Sequence, residues 1–312
     1  MSFSLLRVSA CLAWWVLGFG CAAVQAPQGT ADPLRLVTFN LRYGTADDGP
    51  NRWELRREFA LDEVGALAPD VLALQEALDF QVAEVIARFP YLQVLGEHRD
   101  GGTQGEFSGL LIDTRRLEIV QWGEFWLSET PDVVASRGWD AALPRMAVWA
   151  RLKDREQGRE FLAFGTHFDH RGTIARLESA RLIVERANHL SGAGALPVAL
   201  LGDFNAAEAS PPSDAFRAAG YVDSFRERHP DATHVATFHA FSGASDGSKI
   251  DFVWLSPGWI VRAASIERPR RGAQCPSDHD PVVAEVVFPT RAAARLDRAD
   301  ARERSEFFLR TP

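Results

Sequence analysis

"VALLGDFNA", residues 198–206, opens on four apolar residues and closes on an Asp and an Asn two steps apart. Val198 to Leu201 has the composition of a buried strand. Alternate side chains of an extended chain share a face, so Asp203 and Asn205 point one way and Phe204 the other. A strand made for a core has no packing use for a carboxylate at its end. Either the pair caps a turn, or it holds something.

The same form recurs along the chain. "LRLVTFNLRY" (34–43) reads as a strand closing on Asn40, and "PDVLALQEA" (69–77) as one closing on Gln75-Glu76. "REFLAFGTHFDH" (159–170) runs into His167 and Asp169, "KIDFVWLS" opens with Lys249 and Asp251, and Asp278-His279 lead into "DPVVAEVVF". A turn explains any one of these, because Asp and Asn bond their own backbone there. Together they describe polar residues gathered at one rim.

Helical stretches lie between the strands. Residues 52–67 place Trp53, Ala60, Val64 and Leu67 near helical spacing, residues 79–89 form a shorter helix, and 173–190 carries a stripe of Ile174, Leu177, Ala180, Val184 and Ala187. Residues 107–129 read as strands with turns, "MAVWARLKD" (146–154) pairs with 159–170 across Gln157-Gly158, Pro211-Pro212 marks a turn, and "ATFHAF" (236–241) is a further strand. Many strands are too close in sequence for parallel crossovers. The expectation is mixed sheets packed on each other with helices outside. No linker divides 34–289, and no internal repeat or low-complexity tract is visible.

The 312 residues are 46% hydrophobic, ample for a core, and the net charge is −8. That balance opposes non-specific coating of nucleic acid, which Lys and Arg drive by releasing counterions; "ERPRRG" (267–272) is one local basic run. Residues 1–26 have an early Arg7, an apolar run from Val8 to about Phe19, and then small residues. This reads as a secretory signal, too short for a comfortable membrane span. Cleavage after Ala26, a lipoprotein junction at Gly20-Cys21 and an uncleaved anchor are the alternatives. Export to the periplasm or medium is the expectation, with no stable membrane insertion once the signal is removed. Cys11 and Cys21 fall in the signal, so Cys275 has no disulfide partner in the rest of the chain. Residues 290–312 alternate Arg with acids, as a solvated charged tail does.

The rim inventory is rich in hard oxygen donors, namely Asn40, Glu76, Asp203, Asn205 and Asp278, with His167 and His279 beside them. Such donors suit Mg²⁺ or Mn²⁺ and leave room for a phosphate. Neither a P-loop nor G-x-G-x-x-G occurs. Phosphoester hydrolysis assisted by a divalent cation uses the whole set.

"TFNLR", "ALQEA", "GTHFDH", "LLGDFN", "KIDFVW" and "PSDHDPV", in that order, resemble the endonuclease/exonuclease/phosphatase superfamily over about residues 34–289. The resemblance implies the DNase I-like fold, an α/β (α+β) four-layer sandwich with two mixed β-sheets face to face and helices outside. It implies that Glu76 binds metal with Asn40 beside it and Asp278 nearby. It implies that Asp203 and Asn205 orient the water and the phosphate, that His167 donates to phosphate oxygens, and that Asp251 fixes the catalytic His279. Nucleases of the apurinic type carry Asp where this chain has Arg42, which puts a second metal contact in doubt and adds positive charge near the phosphate. His170 and Arg171, beyond the TH pair, are further candidates for substrate contact, and so are Trp139 and Arg145 in and after the Trp-bearing loop 121–145. The loops are similar to the phosphatase-like bacterial branch, so the expected substrate is a small organic phosphate ester. A nuclease is the alternative and an inactive binding protein the remote one; no protein partner is implied.

Overall fold

Apolar residues fill both faces of most strands, so both faces have to be covered. The computed structural model describes residues 32–289. The export signal read at 1–26, with Cys21, and the tail 290–312 lie outside the described residues. Two six-stranded sheets meet this demand. The first runs β11 (Ile260–Ile266), β12 (Val282–Val287), β1 (Leu34–Asn40), β2 (Val71–Ala77), β4 (Phe107–Asp113), β3 (Leu92–Leu95). The second runs β5 (Leu117–Trp126), β6 (Met146–Asp154), β7 (Glu160–His167), β8 (Val198–Asp203), β10 (Asp251–Leu255), β9 (Val222–Asp223). Each sheet is mixed, with β1–β2 and β7–β8 parallel and the other pairs antiparallel. The fold is the expected four-layer α/β sandwich.

Three cores hold the layers. Leu36, Ala73, Val148, Ala163, Leu201 and Val253 pack between the sheets. Val37, Phe39, Leu72 and Leu74 pack outward on α1 (Trp53–Leu67) and α2 (Asp79–Arg88). Leu162, Phe164, Leu200, Phe252 and Trp254 pack outward on α3 (Thr173–Leu190) and α4 (Pro211–Ala218). Each fully buried large apolar side chain contributes roughly 1.5–3 kcal/mol.

The period of two then places the polar ends. Leu34 and Leu36 belong to the inter-sheet core, so Thr38 and Asn40 continue on that face. The same parity runs from Ala199 and Leu201 to Asp203, from Leu255 and Val253 back to Asp251, and from Phe161 and Ala163 through Gly165 to His167. At this end of the sandwich the inner core turns from apolar to polar.

Some expectations need correction. "ATFHAF" is not a strand; it is an irregular segment with one isolated bridge, Phe238 to His279. Pro211 does not make a turn but starts α4, where a missing N–H costs nothing. The buried face of α3 is Ala175, Ser179, Ala180, Ile183 and Ala187, while Ile174 is exposed. Apart from Ile183 the buried side chains are small, and Leu177, Leu182 and Val184 sit half-buried at the flanks. The strands β3 and β11 and the short helix α5 (Ser224–Arg228) had no clear sequence signal. Among the described residues no helix is long and apolar enough to cross a membrane.

Candidate active site

The register aligns His167 with Asp203 and Asp203 with Asp251, which makes one row across β7, β8 and β10. Gly202 lets these strands close up, since a Cβ there would collide with the Thr166 carbonyl. In the facing sheet Asn40 pairs in register with Gln75. The Asn40 amide crosses between the sheets and donates to Asp203 Oδ2 and to Glu76 Oε1, both at 3.1 Å. Its own Oδ1 takes the Arg42 N–H at 2.9 Å. Asn40 therefore ties two carboxylates together instead of aiming an oxygen into the site.

Glu76 leaves the ladder at a register slip between Leu74 and Ala77 and has φ 60°; Arg42 and Asn205 are also left-handed, at φ 57° and 45°. Asn accepts this conformation readily, but for Arg and Glu it stores about 1–3 kcal/mol each. Left-handed residues of this kind collect where a fold aims side chains at a ligand. The loop carrying Asp278 and His279 is fixed by the Ser277 hydroxyl, which donates to the Asn40 carbonyl at 2.7 Å.

His279 Nδ1 lies 2.9 Å from Asp251 Oδ2, while its Nε2 faces Asp203 Oδ2 at 3.8 Å. Burial works against a charged His279, but Asp251 outweighs it and holds the imidazole pKa well above the ordinary value. His167 is the opposite case. Burial, helped by the Arg145 charge, pushes its pKa well down and keeps it neutral. Its Nε2 takes the Asn205 amide at 3.0 Å and stands 3.5 Å from Asp203 Oδ2. Burial first, and then the neighbouring Asp251, raise the Asp203 pKa. Burial and Glu76 raise that of Asp278, against the pull of His279.

Crowded carboxylates of this kind call for a cation. Arg42 supplies one, its guanidinium 3.9 Å from Glu76 and 3.7 Å from Asp278. Glu76, His167 and Asp203 can bring one ligand atom each within 4.8 Å of one another, as can Asp203, Asp251 and His279. The first group, with its hard oxygens beside Asp278, suits a divalent ion such as Mg²⁺ or Mn²⁺. The second is already committed to the His279–Asp251 bond.

These groups face a pocket of about 840 Å³. Arg42, Glu76, His167, Asp203, Asn205, Asp278 and His279 line it, as do Arg145 and His170. Asn40 and Asp251 stand behind it as supports. Trp139 and Arg171 are not among its lining residues. The Trp139 backbone is instead held by Glu129, and Arg171 is exposed on the turn before α3. Arg99, Glu106 and Phe238 line the pocket without having been singled out in the sequence. Phe238 lies against His279 with ring centroids 5.0 Å apart. A G-x-S-x-G run at Gly243–Gly247 is no nucleophile elbow, because Ser245 sits in a loop beside His234. Cys275 is buried with its thiol pKa raised by burial, the wrong direction for a nucleophile.

The model of the endonuclease/exonuclease/phosphatase family matches residues 37–279. The chain belongs to that family. The family match ends on His279, and the rows described above fall inside it. A mannosyl-6-phosphatase of Bacteroides thetaiotaomicron is 35% identical, superposes with a TM-score of 0.76, and is aligned over 82% of this chain and 100% of its own. A second family member from the same organism is 34% identical, with a TM-score of 0.76 and coverage of 82% and 98%. Nocturnin of Drosophila melanogaster is 26% identical over 204 residues, which are 58% of this chain but only 30% of that relative's length. Family members are hydrolases that act on phosphoester bonds and depend on a divalent metal, and this chain is such a phosphoester hydrolase.

Proposed function

We propose that the protein is an exported enzyme that hydrolyses small organic phosphate esters with Mg²⁺ or Mn²⁺. The observation that carries this reading is the meeting of Glu76, Asp203, Asn205, His167 and the His279–Asp251 pair in one pocket of limited volume. The likeness to a mannosyl-6-phosphatase supports a small phosphorylated substrate. The basic run at 267–272 offers little to a polymer's phosphates. Arg268 and Arg270 are spent on Asp280, and Arg271 on Asp62. Export rests on the signal-like residues 1–26.

Glu76 and Asp278 are the proposed metal ligands, and the bound ion would offset charge on the phosphoryl oxygens. Asp203 is the proposed base. Its raised pKa gives it the affinity to take a proton from an attacking water. The His279 imidazolium, anchored by Asp251, faces Asp203 and opposes the negative charge that grows on the phosphoryl group. Asn205 holds His167 in place through its amide. The test is Mg²⁺- and Mn²⁺-dependent hydrolysis by the protein without residues 1–26, over sugar phosphates, nucleotides, and single- and double-stranded nucleic acid, with Asp203→Ala as control. Small esters cleaved and polymers untouched is the expected result. Cleavage of polymers alone would replace the proposal with a nuclease. No cleavage with either metal would end it.

A further inference from the structure

Arg145, the residue before β6, is buried with its side chain only 5% exposed, yet it lines the pocket beside His167 and Asp203. Its Nε and Nη1 have no hydrogen-bond partner. Its Nη2 meets only His170 Nδ1, at 3.3 Å. Two carboxylates stand near but out of bonding range, Asp169 at 3.8 Å and Glu106 at 3.9 Å. Both are engaged elsewhere. Glu106 accepts from Arg99 at 2.6 Å, and Asp169 accepts from the backbone N–H groups of Leu143, Arg171 and Gly172. Arg99, on the same wall, also keeps a buried Nε without a hydrogen bond, 3.7 Å from the Asp100 carboxylate. A buried guanidinium with open donors is costly unless an anion completes it.

Resting on the phosphoester hydrolase reading above, we infer that Arg145 receives the terminal phosphoryl group of the substrate and makes the enzyme selective for monoesters over diesters. Arg145 lines the same pocket as His167 and Asp203, and its charge acts on both. A monoester brings nearly two negative charges and three terminal oxygens to this wall. A diester brings one charge and one terminal oxygen fewer for the guanidinium to bind. Arginine's planar array of donors suits phosphate oxygens.

The test pairs two esters of one alcohol, 4-nitrophenyl phosphate and bis(4-nitrophenyl) phosphate, with wild type, Arg145→Met and Arg145→Lys at fixed Mg²⁺. Circular dichroism checks each fold. The expected result is a monoester preference in wild type. In Arg145→Met, kcat/KM for the monoester should fall about 100-fold while that for the diester changes less than about 5-fold, with Arg145→Lys between. Inorganic phosphate gives a readout free of turnover. It should raise the melting temperature of wild type and not of Arg145→Met. Parallel losses on both esters, or equal stabilisation by phosphate in wild type and variant, would overturn the inference and leave the hydrolase reading standing. A wild type inactive on both esters leaves the hydrolase reading to the wider substrate panel, and the phosphate shift then decides on Arg145 alone. Should Arg145→Met not fold, the Lys variant and the wild-type ratio of the two esters carry the decision. A wild type that prefers the diester refutes the proposal.

Discussion

Two buried arginines, Arg56 and Arg145, show how differently one residue type can be used. Arg56 is wholly buried, and every guanidinium nitrogen donates to a backbone carbonyl. Asn51, Leu41, Pro276 and Arg42 accept at 2.8–3.0 Å, so one side chain stitches the loop after β1 to the segment leading into Asp278 and His279. Arg145 is also buried, yet two of its nitrogens make no hydrogen bond. The carboxylates repeat the contrast. Asp280 takes Arg268, Arg270 and His239 at 2.6–3.2 Å; burial opposes its charge, but these partners win and its pKa is lowered. Asp203 faces other acids and its pKa is raised. Of these four groups the saturated two, Arg56 and Asp280, build the frame, and the other two, Arg145 and Asp203, face the pocket.

The sharpest way to break this division is Asp203→Asn. Turnover should fall at least about 10³-fold, since the base and the anchor for Asn40 change together. Thermal stability should hold or rise, because a carboxylate crowded by acids is removed. Activity within tenfold of wild type would show that the base lies elsewhere. Next in size is Arg56→Ala. The Leu41 and Pro276 carbonyls are buried and lose this donor, the Asn51 carbonyl loses it at a half-buried position, and the Arg42 carbonyl keeps only the Gln81 amide, so urea unfolding should show a loss of roughly 3–5 kcal/mol. A loss below about 1 kcal/mol would mean that water replaces the guanidinium and that the stitch is dispensable. Asp280→Asn should cost roughly 2–3 kcal/mol, because Arg268 and Arg270 lose their counter-charge while partly in contact with solvent. A large fall in kcat with no change in stability would instead put Asp280 on the pocket side of the comparison.

The sequence exposed the sandwich through strands that alternate inward and outward and then turn polar, as "VALLGDFN" does. Parity alone carries Asn40, His167, Asp203 and Asp251 to the inner end. Arg56 was hidden because a charged residue in a helix reads as solvent-facing. Its spacing from Trp53 and Ala60 on the buried face of α1 was the available signal. Arg99 and Glu106 come from the loop between β3 and β4, where no periodicity predicts direction. Trp139 was drawn in by its ring, but orientation in a long loop is set by local bonds such as those the Trp139 N–H donates to Glu129. Whether a buried charge is saturated depends on partners far apart in the chain, as Arg56 and Pro276 are, and no local pattern records that.

The smallest effect asks whether an unsettled buried charge is enough to mark function. Asp70 precedes β2, at the opposite end of the strand from Glu76. Burial raises its pKa to about 6, although the Arg35 N–H donates to its carboxylate at 2.7 Å. In the unfolded chain Asp loses its proton near 3.9. Between about pH 4 and 6 the folded state therefore binds more protons, so this residue's contribution to stability falls as pH rises through that window and stays low above it. Full conversion of the shift gives about 3 kcal/mol, and partial exposure reduces this to roughly 1–2 kcal/mol. Asn keeps the acceptor for Arg35 without the charge. Asp70→Asn should therefore gain more stability at pH 7 than at pH 4.5 in urea titrations, with turnover unchanged. An equal gain at both values would assign the effect to packing. A fall in turnover would mean that strain at this end of β2 reaches Glu76 through the strand, and that the saturated frame is less rigid than its hydrogen bonds imply.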